Sequence, residues 1–141
     1  MLGQPRIMII DDSQTIRTEA ARYLGTEFNV MTCEDGLDAI GRIARFSPAL
    51  ILLDIVMPKL NGYETLSIIR LNPAFKKTPI FMMSGKGGVF DIAQGRVLGF
   101  DGYITKPFKS EDLLKLVQTG LEAAQSREAE AKADAQSVTP V

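Results

Sequence analysis

Short apolar runs alternate along the chain with longer stretches in which apolar residues recur every three or four positions. The runs occupy residues 7–10, 28–32, 50–53, 80–83 and 102–105, and most of them are rich in Ile, Leu, Val or Met. Runs of this length predict strands of a parallel sheet, because such strands are covered on both faces and need no polar alternation.

The intervening stretches show the spacing that places apolar residues on one face of a helix. The predicted faces are Ile16, Ala20, Tyr23 and Leu24; Leu37, Ile40 and Ile43; Leu66 and Ile69; Val89, Ala93 and Val97; and Leu113, Leu114, Val117 and Leu121. Gly25 is expected to end the first helix, and Asn61 with Glu64 three residues later predicts a capping box on the third. Ser110 is the predicted N-cap of the last helix.

The alternation of strands and helices predicts a doubly wound α/β fold of the (βα)5 type. The flavodoxin-like strand order 2-1-3-4-5 is the usual arrangement of such a sheet. One domain is predicted over residues 5–123, since a chain of 141 residues is long enough for one hydrophobic core. Residues 124–141 are polar and are expected either to prolong the last helix or to be disordered.

Composition narrows the classes of function. Lys and Arg number 16 against 17 for Asp and Glu, so a net charge of -1 offers no attraction to nucleic acid or anionic lipid. No apolar run is long enough to span a bilayer and no secretory signal is evident, so a cytoplasmic protein is expected. The single cysteine, Cys33, is expected to be a buried apolar residue, and the absence of histidine excludes histidine-based catalysis.

Side chains that could bind or react with a ligand follow four of the predicted strands. Asp11 and Asp12 follow the first strand, Asp54 the third, Ser84 the fourth and Lys106 the fifth. Ligands of open α/β sheets lie outside the carboxyl ends of the strands, so these side chains are expected to share one edge. Three carboxylates there repel one another unless a hard divalent cation lies among them, and Mg²⁺ is the predicted ion.

A phosphoryl group is the predicted ligand of this edge. Lys106 and Ser84 supply a cation and a hydroxyl donor for its oxygens, and Asp54 is the candidate nucleophile because Asp11 and Asp12 form an adjacent pair. Each motif alone has a plainer explanation: a helix N-cap for the acidic pair, a turn for Ser84 and a solvated loop for Lys106. Their joint occurrence at successive strand ends favours one shared site.

Several short motifs carry a resemblance to a known family. They are Asp-Asp at 11–12, Leu-Asp-Ile-Val-Met-Pro at 53–58, Asn-Gly-Tyr-Glu at 61–64, Met-Ser-Gly at 83–85 and Tyr-Ile-Thr-Lys-Pro-Phe at 103–108. With these motifs the chain resembles the response-regulator receiver family, and within it the stand-alone, CheY-like type. The resemblance covers residues 5–121, which is most of the chain apart from its tail.

The resemblance implies a phosphorylation site built around a magnesium ion. Asp54 is then the phosphorylated residue and also a metal ligand, with Asp12 a direct Mg²⁺ ligand and Asp11 a ligand through water. The backbone carbonyl of Val56 completes the ligands that the protein supplies. Lys106 contacts the phosphoryl group.

The resemblance also implies a conformational switch. Ser84 donates to the phosphoryl group and moves toward it, and Tyr103 turns inward, which remodels the surface of the fourth helix, fifth strand and fifth helix. The Lys106-Pro107 peptide bond is expected to be cis. Val56 and Lys86 flank the approach of a hydrolytic water, and an apolar Val56 predicts slow self-dephosphorylation because it cannot orient water by hydrogen bonding.

The implied partners are a phosphodonor and a target. A sensor histidine kinase is expected to supply the phosphoryl group, because the chain has no histidine of its own. A motility or chemosensory protein is the expected target, since residues 84–91 resemble regulators of type IV pilus chemosensory systems that drive twitching. Phosphorylation-dependent homodimerisation is left open, and no catalysis is expected beyond the chain's own Mg²⁺-dependent phosphorylation and dephosphorylation.

Two other functions compete with this interpretation. A phosphatase of the haloacid-dehalogenase type also forms an aspartyl-phosphate with Mg²⁺, but it carries a second Asp two residues after the nucleophile, where this chain has Val56. A receiver-like scaffold that is never phosphorylated ranks lower, because the residues of the acceptor site are all present. The tail is too short and polar for a helix-turn-helix, so direct control of transcription is not expected.

Overall fold

A parallel sheet forms the centre of the molecule. The computed structural model describes residues 3–85 and 91–137. Within these residues the sheet has five parallel strands in the order β2-β1-β3-β4-β5, which confirms the predicted fold class. The strands are β1 (Arg6–Ile10), β2 (Asn29–Cys33), β3 (Leu50–Asp54), β4 (Ile80–Ser84) and β5 (Gly102–Thr105).

Helices connect successive strands and cover both faces of the sheet. They are α1 (Gln14–Leu24), α2 (Gly36–Phe46), α3 (Gly62–Leu71), α4 (Ile92–Leu98) and α5 (Ser110–Ser137), with a short 3₁₀ helix at Pro73–Phe75. The backbone N–H of Gly25 donates to the carbonyl of Ala21, so the first helix ends where the sequence predicted. No helix in the described ranges is both long enough and apolar enough to cross a membrane.

Two hydrophobic clusters lie on opposite faces of the sheet. Alternate residues of the central strands point to each side, as the two-residue period of a strand requires. One cluster joins Met8 and Ile51 to Leu66 of α3, and the other joins Ile9 and Leu52 to helices α1 and α5. Every residue of β3 is buried, so the central strand is covered on both faces as its apolar run predicted.

The N-terminus of α3 carries the predicted capping box. The side chain of Asn61 accepts a hydrogen bond from the backbone N–H of Glu64 at 2.9 Å, and the Glu64 carboxylate accepts one from the backbone N–H of Asn61 at 3.0 Å. Two backbone donors at the start of α3 are thereby satisfied. The box fixes the point at which the loop after β3 enters the helix.

Loss of this cap is expected to destabilise the protein moderately. Asn61→Ala removes the acceptor for the Glu64 N–H and should lower the free energy of unfolding by about 1 kcal/mol. Urea unfolding followed by circular dichroism measures the change. Glu64→Gln is the matched control, because glutamine can still close the box, and a loss equal to that of Asn61→Ala would contradict this account.

Two helix faces differ from their predicted form. Leu37 at the start of α2 is 54% exposed and Val97 of α4 is 86% exposed, although both were predicted to face the core. The buried residue of α4 is instead Gly95, where an added Cβ would lie 3.1 Å from the ring of Phe100. The prediction for α4 was wrong because Phe100, which follows the helix, folds back onto Gly95. The side of α4 that is covered is therefore not the side that carries the apolar residues. Ala93 is likewise exposed, and Val89 lies outside the described residues.

The last helix differs from the prediction at its N-terminus. Ser110 is its first helical residue, and the carbonyl of Lys109 accepts from the N–H of Leu113, so the N-terminal boundary lies one residue earlier than predicted. Glu111 and Asp112 occupy the first turn, where the helix dipole favours negative charge. The helix then continues without interruption to Ser137.

Candidate functional site

Four strands end together at one edge of the sheet. Ile10 pairs with Leu53 across β1 and β3, Asp54 pairs with Met83 across β3 and β4, and Ser84 pairs with Thr105 across β4 and β5. Because these strands are parallel and in register, the residues that follow them are brought side by side. The sheet thus gathers the acidic, hydroxyl and basic side chains that the sequence placed at four separate points.

Three carboxylates form a cluster at this edge. Asp11, Asp12 and Asp54 each offer one carboxylate oxygen, and these oxygens lie within 4.8 Å of one another. Asp11 is 0% and Asp54 3% exposed, whereas Asp12 is exposed to solvent. Two buried carboxylates therefore lie beneath a third that is open to an incoming ion or ligand.

Lys106 connects the two buried carboxylates. Its Nζ donates to Oδ2 of Asp11 at 2.9 Å and to Oδ1 of Asp54 at 3.1 Å. The backbone N–H of Lys106 also donates to the carbonyl of Ser84, which fixes the lysine at the end of β5. The Lys106-Pro107 peptide bond is cis, as the family resemblance implied.

Local contacts hold Asp11 in place. The backbone N–H of Ser13 donates to Oδ1 of Asp11 at 2.9 Å, and the hydroxyl of Ser13 caps α1 by accepting from Ile16. The guanidinium of Arg17 donates to the backbone carbonyl of Asp11 at 2.7 Å. Sequence reasoning missed Arg17, although a cation one and a half turns after an acidic pair at a helix start is a readable signal.

Burial changes the acid–base properties of the site. Desolvation, with the nearby charge of Asp11, raises the pKa of Asp54 from its ordinary 3.8 to about 7, while the charge and hydrogen bond of Lys106 oppose the rise. Burial by itself lowers the pKa of Lys106, but the hydrogen bonds and charges of Asp11 and Asp54 outweigh it, and that pKa is raised. The ammonium is therefore fully charged near neutral pH, and Asp54 is an acid of unusually high affinity for protons.

The cluster has the chemistry of a site for a hard divalent cation. When all three carboxylates are ionised, they carry three negative charges against one ammonium, which leaves two negative charges in a small, mostly buried volume. All three ligands are oxygen donors, which Mg²⁺ prefers over nitrogen or sulfur. Burial, together with the nearby charge of Asp11, raises the pKa of Asp54, and a cation among the carboxylates would favour the ionised form, so the residues present fit such an ion.

The other predicted residues differ in their exposure. Ser84 is buried at the end of β4, and Val56 is 75% exposed in the loop after β3. Tyr103 is 45% exposed on β5, with its ring stacked on Phe100 at a centroid distance of 6.2 Å and an interplanar angle of 8°. Lys86 lies outside the described residues. The structure thus brings the acids, Lys106 and Ser84 together and leaves Tyr103 at the surface.

Cys33 is buried at the end of β2, as predicted. Burial, with the charge of Asp38, raises the pKa of its thiol to about 11. Such a thiol is protonated at neutral pH and is a poor nucleophile.

Comparison with known proteins places the chain in one family. Residues 7–118 match the response regulator receiver domain, and the chain belongs to this family of two-component response regulators. It is 47% identical to Protein PilG of Pseudomonas aeruginosa over 114 residues, which cover 80% of this chain and 84% of PilG.

Other relatives extend the same conclusion. The chain is 36% identical to the cell cycle response regulator CtrA of Brucella abortus over 110 residues, which cover 77% of this chain and 47% of CtrA. The chemotaxis protein CheY4 of Vibrio cholerae superposes with a TM-score of 0.79 at 29% identity, over 83% of this chain and 98% of CheY4. These comparisons give no support to the haloacid-dehalogenase alternative.

Proposed function

We propose that this response regulator accepts a phosphoryl group on Asp54. The observation that carries the proposal is the single ammonium of Lys106 bound to both Asp11 and Asp54, beside the exposed Asp12. A carboxylate oxygen of Asp54 attacks the phosphorus of the donor, and the bond from phosphorus to the donor's leaving group breaks. The leaving group departs with the bonding electrons, and an acyl phosphate remains on Asp54.

The surrounding residues stabilise the transferred group. The ammonium of Lys106 neutralises charge on the phosphoryl oxygens, and the Ser84 hydroxyl donates a hydrogen bond to one of them. Both interactions stabilise the negative charge of the transition state. Asp11, Asp12, Asp54 and the backbone carbonyl of Val56 are the proposed ligands of Mg²⁺, which supplies positive charge for the phosphoryl oxygens when bound. Catalysis by this chain is limited to its own phosphorylation and dephosphorylation.

The partners follow from the same chemistry. A sensor histidine kinase supplies the phosphoryl group, and Ser84 and Tyr103 transmit its arrival to the surface formed by α4, β5 and α5. A motility or chemosensory protein binds that surface in the cytoplasm. The likeness to the chemotaxis protein CheY4 supports this output, as does the resemblance of the sequence of residues 84–91 to type IV pilus regulators.

Phosphotransfer from a small donor tests the proposal. The full chain, incubated with acetyl phosphate and Mg²⁺, is expected to gain the mass of one phosphoryl group, and Asp54→Asn is expected to gain none. Asp91→Asn, an exposed N-cap acid on α4, is the matched control and should be labelled like the unchanged chain. Labelling that persists in Asp54→Asn, or that needs no divalent cation, contradicts the proposal.

Val56 is expected to set the lifetime of the phosphoryl group. Its side chain is exposed two residues after Asp54 and cannot hydrogen-bond a water. Val56→Asn should speed dephosphorylation about fivefold, the factor that one hydrogen bond of about 1 kcal/mol gives. The decay of the phosphorylated mass after removal of acetyl phosphate measures this rate. Val56→Ala keeps the position apolar and serves as the control, and equal decay in all three proteins would refute the role.

A further inference from the structure

A groove lies at the end of the sheet opposite the acid cluster. Its volume is about 880 Å³, and it is lined by the residues that precede three strands: Ala49 before β3, Pro79 before β4 and Asp101 before β5. The phosphoryl site at the carboxyl ends of the strands uses none of these residues. The groove is therefore a separate feature of the surface.

The part of α5 that follows residue 118, called the α5 extension below, forms one wall of this groove. Leu121, Ala124, Gln125 and Glu128 line it, and their spacing of three, four and seven residues places them on one face of the helix. These residues follow residue 118, where the match to the receiver family ends. CheY4 is matched over 98% of its length by 83% of this chain, so part of this chain has no counterpart there. The wall thus belongs to the part of this chain that lies outside the family match.

The floor of the groove is formed by Arg70 and Asp101, whose side chains are already paired. The guanidinium of Arg70 donates to the carbonyls of Phe75, Thr78 and Gly99 at 2.6 to 3.1 Å. Asp101 accepts from the backbone N–H of Ile80 and from the side chains of Arg70 and Arg127. Arg127 ties the extension of α5 to this floor. A ligand therefore finds few polar groups that could orient it at the bottom of the groove.

The exposed part of the groove combines apolar surface with positive charge. Val97 is almost fully exposed at its edge, and Leu98, Phe100 and Leu121 are partly exposed. Lys76 and Lys77 lie on its rim, and neither forms a salt bridge within the described residues. Arg70 and Arg127 neutralise Asp101, and the two lysines outnumber Glu128, the other acid of the lining, so the groove keeps a net positive charge.

We propose that this groove binds an amphipathic helical segment of a partner protein, with apolar residues on one face and acidic residues beside them. The apolar face fills the groove between α4 and the α5 extension, where the floor offers little polar recognition. The acidic residues meet Lys76 and Lys77 at the rim and set the orientation. A small anion fits less well, because the two lysines are exposed and do not converge on a buried point. The binding needs no phosphorylation and is independent of the function proposed for Asp54.

Peptide selection on the full, unphosphorylated chain tests the proposal. A displayed library of randomised peptides about three helical turns long is expected to yield binders that combine acidic and apolar residues at helical spacing. The binding of each labelled peptide is then measured by fluorescence anisotropy. A library that yields no binder above background, or binders with basic residues instead, overturns the proposal.

Paired variants locate the binding. Lys76→Glu combined with Lys77→Glu, and separately Ala124→Glu, should weaken peptide binding about tenfold or more, because the first reverses the rim charge and the second fills the groove. Lys115→Glu combined with Lys132→Glu is the charge-matched control. Ala131→Glu places the same change seven residues further along the same helix face, outside the groove. Both controls should bind within about twofold of the unchanged chain.

The outcomes of these measurements separate the possible occupants. Circular dichroism of each variant reports whether it remains folded, so a loss of binding is assigned to the surface. Unchanged binding in the groove variants, or equal loss in the controls, overturns the proposal. Sedimentation that shows a dimer broken by Ala124→Glu would assign the groove to a second copy of the chain. Displacement of the peptide by inorganic phosphate would assign it to a small anion.

Discussion

Asp54→Asn is expected to raise the free energy of unfolding by roughly 2 to 4 kcal/mol at pH 8 in the absence of divalent cations. Burial, the charge of Asp11 and the opposing contacts of Lys106 together give Asp54 a pKa of about 7 instead of 3.8. Holding this carboxylate ionised in the folded state at pH 8 therefore costs free energy. Asparagine has nearly the same shape, carries no charge, and still offers an oxygen to Lys106.

The sign and the pH window of this effect follow from the two pKa values. In the unfolded chain Asp54 loses its proton near pH 3.8, and in the folded protein near pH 7. Between these values the folded state binds more protons, so the contribution of Asp54 to stability is lost as the pH rises through the window. Below this pH window Asp54 is protonated in both the folded and the unfolded state, so it does not contribute to the pH dependence of stability. The stabilities of the unchanged chain and Asp54→Asn should therefore diverge from about pH 4 to pH 7.

Urea unfolding across this pH range, with a chelator present, measures the divergence. Asp112→Asn is the control, because Asp112 lies exposed in the first turn of α5, where removing a negative charge slightly destabilises the helix. Added Mg²⁺ should stabilise the unchanged chain more than Asp54→Asn and narrow the gap. Parallel pH curves, or an Asn variant that is less stable at pH 8, would show that the charge at Asp54 is not the cause.

Gly62→Ala is expected to destabilise the protein by about 3 kcal/mol, because Gly62 packs directly on the end of β3. A Cβ at this position would lie 2.3 Å from the carbonyl oxygen of Asp54 and 2.8 Å from Cα of Ile55. Both atoms belong to the backbone and cannot rotate away. The N–H of Gly62 also donates to the carbonyl of Ile55 at 2.7 Å, which holds the loop and α3 against the strand.

Gly41→Ala provides the matched comparison. Gly41 lies within α2, and nothing lies within 4 Å of the position its Cβ would take. Alanine should stabilise the protein there by about 0.5 to 1 kcal/mol through its helix propensity. Denaturant unfolding of both variants gives the difference. Equal effects of the two substitutions on stability would mean that the contact of Gly62 with β3 does not exclude a larger side chain at residue 62.

The acid cluster could be predicted from the sequence because a parallel sheet brings the carboxyl ends of its strands to one edge. Asp11, Asp54, Ser84 and Lys106 each follow an apolar run, and parallel strands in register bring those positions to one edge. Their proximity needed only the strand order. The roles proposed for them in phosphorylation need the experiments described above.

Other features depend on contacts that no local pattern contains. Phe100 folds back onto Gly95 and determines which side of α4 is buried. The helix has only seven residues, so its apolar spacing is a weak guide to its buried side. The groove escaped prediction for a similar reason. Its walls come from three loops and from the later part of α5, and the polar composition there left open whether the helix continued or the chain was disordered.

Lys106 has one further property that bears on how the site can be filled. An ammonium carries three hydrogens, and the contacts of Lys106 within the described part of the chain engage one on Asp11 and one on Asp54. Under the function proposed above, the third would be available to an oxygen of an arriving phosphodonor while both existing bonds persist. On that proposal, binding of the donor would require neither carboxylate to give up the lysine first.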